Sequence, residues 1–274
     1  MLRKEVEERI QAKVQKHYDY LVKRIPAERV IGVFAYGSMN YGFYEDGVSD
    51  VDTKAVILPS LSDIVQGKKL KSKELILSNG EHCVVKDIRL YVQQLKKQSI
   101  CFVETLYTTY YVINPMWERL WDSCFIKHRN DISRYNTDLT IQAAGNQLLS
   151  TKGRKGKDVY NIIRLSLFIE RYYLGYGYSA CINPSFTLSE KTCSDMWKYK
   201  KQKNIDFSND TDTIALVNTI RKKVIYIIEL SKYSSADTKQ EINNKKTIDN
   251  ILTECVTLML MPVFNNGRGQ SNIH

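Results

Sequence analysis

The chain has 274 residues, 43% of them hydrophobic and 11% aromatic, which is ample for a core and suits one compact two-lobed protein or two modest domains. A formal net charge of +10 implies attraction to polyanions, which nucleic acid, a nucleoside triphosphate or an acidic protein would each satisfy. Six cysteines without a CxxC and four histidines without a cluster argue against a zinc site and for reduced thiols in a cytoplasm. Charge from Arg3 onward argues against a secretory leader, and no apolar run approaches the length of a membrane span.

In chain order, residues 2–25 read as an amphipathic helix. Val6, Ile10, Val14, Tyr18, Leu21, Val22 and Ile25 recur at spacings of three and four, and Pro26 closes the run. Its expected task is to cover one face of a sheet. Residues 30–36 (VIGVFAY) read as a buried strand that stops at Gly37-Ser38. Gly37 lets backbone approach a ligand, and Ser38 can cap a short helix over 39–43 whose free N–H groups point at phosphate.

A second strand is expected over 48–58. Asp50 and Asp52 are two residues apart in it, so alternation sends both carboxylates to one face, roughly 7 Å apart along the backbone. Burying like charges in an apolar strand calls for divalent cations, and two metals about 4 Å apart would suit phosphoryl or nucleotidyl transfer. Lys54, next on that face, either adds charge near phosphates or points to solvent. Pro59 ends the run, and residues 61–65 can form a short helix. Lys68, Lys69, Lys71 and Lys73 make a basic loop, solvated or in contact with nucleic acid. Residues 75–78 and 81–86 read as strands around Asn79-Gly80, a type I′ hairpin signal.

Hydrophobic-Gly-Ser at 36–38, eleven intervening residues and then Asp50-Val51-Asp52 resemble the signature of the DNA polymerase beta nucleotidyltransferase superfamily. The longer pattern, GSMNYG through SDVDTKAVILPS, resembles a bacterial and phage branch of predicted nucleotidyltransferases. The resemblance implies an α+β fold, with a mixed sheet and helices followed by an all-helical C-terminal lobe. The expected division is a catalytic domain at 1–125, a helical domain closing the cleft at 126–264, and a flexible tail at 265–274. It further implies Mg²⁺ or Mn²⁺ held by Asp50 and Asp52, and the β and γ phosphates of a nucleoside triphosphate held by Gly37 and Ser38. A nucleoside monophosphate would pass to an acceptor with release of pyrophosphate. An RNA or tRNA end is favoured as acceptor by the positive charge, a protein side chain comes next and a small molecule last.

In that superfamily a third carboxylate sits in a hydrophobic-acid-hydrophobic strand beside the Asp pair. Here the equivalent stretch is 81–87, and Val84 occupies the expected position. Asp87, which can also cap a helix over 88–97, and Glu81, expected at the hairpin turn facing solvent, are the acids that could substitute. Asp87 therefore joins Asp50 and Asp52 as a catalytic candidate. A catalytically impaired nucleotide- or RNA-binding module is the alternative.

Residues 99–107 read as a short apolar helix with Glu104 as a structural hydrogen-bond partner. Asn114-Pro115 starts another helix over 116–124, where Trp117, Leu120 and Trp121 read as core. Five further helices are expected, over 132–150, 157–174, 189–200, 211–231 and 246–261. Between the first two, TKGRKGK (151–157) packs four cations around two glycines. It leads into Lys157, Tyr160, Asn161 and Arg164, which share one helical face. Lys157, Tyr160 and Arg164 are thus candidates, with Lys54, for holding the nucleotide or the acceptor. The loop is not a Walker motif, since GxxxxGK[ST] is absent.

Overall fold

The computed structural model describes residues 4–68, 72–77, 80–183, 188–234 and 239–269, with side chains described for all of these except 233–244 and 263–269. Lys69, Lys71, Asn79 and residues 270–274 lie outside the described residues.

Helix α1 (Lys4–Val22) turns Ile10, Val14, His17 and Leu21 inward. Strand β1 (Val30–Ala35) is buried at every position. Next come β2 (Thr53–Ile57) and α2 (Leu61–Val65), which Ser60 and Asp63 cap reciprocally. β3 (Lys73–Ile76) and β4 (His82–Asp87) pair antiparallel, as the hairpin signal implies. Then follow α3 (Ile88–Lys96), α4 (Ile100–Val103) with a 3₁₀ turn at Glu104–Leu106, and β5 (Tyr111–Ile113). Asn114 caps α5 (Pro115–Trp121), which runs on through one π-helical turn at Asp122–Ile126. The remainder is helical: α6 (Arg129–Ser133), α7 (Thr137–Ser150), α8 (Gly156–Tyr173), α9 (Tyr178–Ile182), α10 (Glu190–Lys201), α11 (Thr211–Ser234) and α12 (Lys239–Gly269). No helix among the described residues is long and apolar enough to cross a membrane.

The sheet order is β3-β4-β2-β1-β5, with β2 and β4 parallel and every other pair antiparallel. The fold is α+β, as expected. Period-2 alternation divides the sheet between two cores. On one side Val33, Ala55, Cys83 and Val85 pack under α1 with Ile10 and Val14. On the other, Phe34 and Val56 join Tyr91, Trp121 and Phe125, and this core continues without a break through Ile162 and Phe168 to Leu252 and Met259. The sheet and the helical half therefore share apolar side chains on both sides of residue 125.

Four expectations change. The helix expected over 132–150 is broken after Ser133, and Asn136 caps a new helix, α7, by accepting from the Leu139 N–H (2.8 Å). Residues 39–43 form consecutive turns in place of a helix. Gly42 adopts φ +76°, and the Asn40 side chain donates to Ala35 O (3.2 Å) while accepting from Thr108 Oγ1 (2.8 Å). The second strand begins at Thr53, not at 48, because Gly47 (φ +76°) and the bonds from Val48 and Ser49 to Glu45 O close a turn. Residues 265–269, expected in a flexible tail, complete α12, which contains Pro262.

Candidate functional site

Ala35 lies opposite Thr53, so the end of β1 and the start of β2 share one end of the sheet. The Tyr36 N–H extends that pairing to Asp52 O (3.1 Å), bringing the Gly37-Ser38 turn beside the acids. Asp50 and Asp52 precede the ladder, yet the alternation survives. Val51 is fully buried in the core under α1, Asp50 is exposed and Asp52 half-buried.

A buried polar cluster holds this segment from below. Glu81, expected at the surface, is 3% exposed. Its carboxylate accepts from Lys13 Nζ (2.8 Å), the Val51 N–H (3.3 Å) and His17 Nε2 (3.0 Å). His17 Nδ1 lies 2.7 Å from Thr53 Oγ1. Burial lowers the His17 pKa against the opposing pull of Glu81. The neutral ring then donates Nε2–H to the carboxylate and accepts the Thr53 hydroxyl proton at Nδ1. Glu81 is buried because α1 covers the point where the chain leaves the hairpin, so solvent is replaced by Lys13 and His17. Glu81 is a structural acid whose side chain serves the backbone of the Asp segment.

Thr53 pairs with Cys83 and Lys54 with Val84 in parallel register, so His82 lies alongside Asp52. Its backbone amide lies beside the Asp52 carboxylate and opposes the rise in that acid's pKa. Glu74 is opposite Val84, so Lys54, His82, Val84 and Glu74 share the face of Asp52. His82 Nδ1 lies 2.9 Å from Glu74 Oε1. Both were missed in the sequence, where Glu74 falls between a basic loop and a strand and carries no local signal. Val84 does fall on the acid-bearing face, opposite Lys54.

Lys54 is 4% exposed, which removes the solvent-facing alternative. Its ammonium sits 3.7 Å from the centroid of Tyr36 and 4.3 Å from that of Phe102, a cation held between two rings. The Asp52 pKa is raised, chiefly by desolvation. The neighbouring Asp50 charge adds to the rise, while His82 and Lys157 oppose it. Lys157, exposed in the first turn of α8, therefore acts on the acid site from the helical half.

Tyr160 and Arg164, expected on the same stripe, are buried at 7% exposure each. Helix α8 is central to the helical half, and beyond its first turn even the polar stripe is covered. The Arg164 guanidinium lies 4.1 Å above the Tyr41 ring. Among the residues whose charge acts on it is the fully buried Glu104. Glu104 in turn accepts from the Gly37 N–H (2.7 Å) and the Tyr41 hydroxyl (2.6 Å), the structural role expected of it. These residues brace the Gly37-Ser38 turn from inside and are not open to a nucleotide. The Gly37 N–H is likewise spent on Glu104. What Gly37 contributes is its φ of +99° with open space where a Cβ would stand. The Ser38 hydroxyl is half-exposed and has no hydrogen-bond partner among the described residues.

Asp87 is at the other end of the sheet, opposite Ile57. Five residues of strand separate it from His82, roughly 16 Å. Its carboxylate accepts from the Arg89 and Leu90 N–H groups and pairs with Arg89 (2.9 Å). Strand direction thus makes it the cap of α3 and removes it from the catalytic set.

No group of three or more His, Cys, Asp or Glu among the described residues is arranged to hold a metal. Asp50 and Asp52, with oxygen donors only, fit one hard divalent cation whose shell is completed by water and substrate oxygens. They do not by themselves build a two-metal site.

Fold and site together define an α+β protein in which an acidic pair and a free hydroxyl meet at one end of a mixed sheet, faced by a lysine from a helical half. No protein-family model and no curated protein matches the chain. Among solved structures, the crystal structure of a nucleotidyltransferase-like protein from Exiguobacterium sibiricum 255-15 aligns with 92% of this chain and 91% of that one. The sequence identity is 13% and the TM-score 0.31.

Proposed function

We propose that the protein is a metal-dependent nucleotidyltransferase that moves a nucleoside monophosphate from a nucleoside triphosphate to an acceptor, an RNA end in first place, releasing pyrophosphate. The observation that carries this reading is the meeting of Asp50 and Asp52 with the Gly37-Ser38 turn at one end of the sheet.

In this reading Asp50 and Asp52 hold Mg²⁺ or Mn²⁺, which when bound supplies Lewis-acid stabilisation of charge on the phosphate oxygens. The Ser38 hydroxyl donates to a phosphate oxygen, and Lys157 pairs with the triphosphate from across the cleft. Lys54 keeps a fixed positive charge beneath the site. With Nδ1–H donated to Glu74, His82 leaves Nε2 to accept the proton of the acceptor hydroxyl.

Asp50→Asn and Asp52→Asn are each expected to lower turnover of labelled nucleoside triphosphate with total RNA about a hundredfold or more while the fold survives. Unchanged turnover in either variant refutes the assignment.

The second reading, a nucleotide- or RNA-binding module without turnover, is favoured by one observation: Val84 stands opposite Lys54, Asp87 is remote, and the acid that does share the face of Asp52, Glu74, is bonded to His82. Metal-dependent nucleotide binding by the wild-type chain, with no label incorporated and no pyrophosphate released, would select it.

A further inference from the structure

The TKGRKGK loop also borders a cavity that Lys157 does not line. Lys152, Arg154 and Arg221 surround this cavity of about 410 Å³, whose other walls include Ser208, Ile214 and Asn218. The loop is held tightly in place. Gly153 (φ +73°) lies close enough to α8 and α11 that an added Cβ would meet Ile162 and Val217 at 3.1 Å. The Phe207 N–H donates to Arg154 O (2.7 Å), the Gly156 N–H to Ile205 O (3.1 Å), and the Lys157 N–H to Lys203 O (3.1 Å). From α11, Arg221 Nη2 donates to Thr151 O (2.6 Å) and Lys152 O (3.3 Å).

One acid, Asp206, lies near enough for the charges of Arg154 and Lys155 to act on it. None of the three cations forms an ion pair with a carboxylate among the described residues. The half-buried Arg221 also has its Nε sealed from solvent without an acceptor. Asp206, beside the loop, accepts from the Ser208 N–H (2.8 Å). Lys152 and Arg154 are solvated, but the Arg221 Nε is not, and an anion entering the hollow would meet all three cations at once. Ile214, 41% exposed, adds an apolar wall, which suits a ligand that alternates phosphate with an apolar ring face.

We infer that the Lys152–Arg154–Arg221 cavity binds backbone phosphates of a single-stranded RNA acceptor. The loop carries this site at Arg154 and reaches Lys157, which acts on Asp52, three residues later. A strand lying along the loop therefore has its backbone gripped between the loop and α11 while its end is presented at the acid pair. The inference rests on the transferase reading for its acceptor, but its test does not use turnover.

The test is binding of a labelled single-stranded oligoribonucleotide to full-length Asp52→Asn protein, followed by anisotropy across a salt series. Lys152→Gln with Arg154→Gln is expected to weaken binding about tenfold and to reduce the salt slope by about 1.4, that of two lost phosphate contacts. Both side chains are exposed and the loop is held through its backbone, so the fold is retained, which the urea midpoint verifies. Lys222→Gln removes a charge one residue along α11 outside the cavity. An equal loss per charge in that variant would reduce the effect to bulk charge and overturn the inference. It is also overturned if RNA does not bind, if the double substitution leaves binding unchanged, or if inorganic pyrophosphate shows the cavity's dependence while RNA does not. RNA bound in the cavity by a wild-type chain that transfers no label would leave the inference standing and remove only the transferase reading.

Discussion

Replacing Glu104 by alanine removes a carboxylate that no solvent reaches and that accepts from both the Gly37 N–H (2.7 Å) and the Tyr41 hydroxyl (2.6 Å). It also withdraws the negative charge that acts on the buried Arg164. Hydrogen bonds to a charged group contribute about 1.5–3 kcal/mol each, and a buried charge deprived of its compensation, here Arg164 acting with Glu104 through space and not in a direct ion pair, costs up to about 3–5 kcal/mol. The two estimates describe overlapping losses, so we expect about 4 kcal/mol for Glu104→Ala, or a drop in Tm of about 10 °C. Glu104→Gln keeps the shape and one acceptor oxygen and is expected to lose about half of that. Removing both partners, as Glu104→Gln with Arg164→Met, is expected to restore stability towards wild type, since no charge remains buried alone. Urea and thermal unfolding of Glu104→Gln, of Arg164→Met and of the double variant measure the coupling directly. Strict additivity, or a Glu104→Gln variant as stable as wild type, would refute the pairing. It would also return Arg164 to consideration as a nucleotide ligand.

Asp87→Ala is expected to cost about 1 kcal/mol through loss of the α3 cap while leaving turnover per folded molecule unchanged; a large loss of turnover would restore it to the catalytic set. His17 has a lowered folded pKa, so the unfolded chain takes up its proton first as pH falls. Stability is expected to decline as pH drops below the ordinary histidine value of about 6.5 towards that lower folded value, and His17→Gln should flatten this slope in pH-dependent urea unfolding. At Gly156 an added Cβ would press on the Gln202 and Tyr199 carbonyl oxygens, the latter at 2.6 Å. Gly156→Ala should therefore destabilise by about 1–3 kcal/mol, read as an unfolding midpoint, and a neutral substitution would show that the α8–α10 contact is loose.

Local periodicity carried most of the secondary structure. Helix α2 and the caps at Asn114 and Asp87 follow from turn chemistry within three or four residues, and the apolar spacing of 2–25 is that of α1. Periodicity failed where glycines at positive φ override it, as at Gly42 and Gly47, since a pattern of side chains does not reveal backbone handedness. It also misjudged α8. The polar stripe Lys157-Tyr160-Arg164 is real, but a central helix covers Tyr160 and Arg164, and of the three only Lys157 in the first turn is exposed.

The sequence by itself determined the chemistry available at the acid pair: Asp50 and Asp52 flanking an apolar Val51, a glycine and a serine before them, and valine at position 84. These are properties of neighbours in the chain, fixed by alternation and by glycine's freedom. Only the tertiary structure decided which residues complete the site. Strand order and register bring His82 and Glu74 to the face of Asp52, send Asp87 to the far end and place Glu81 beneath α1 with His17 and Lys13. Charges separated by tens of residues leave no mark on local pattern, and their roles follow from which elements the sheet and the helical half pack against.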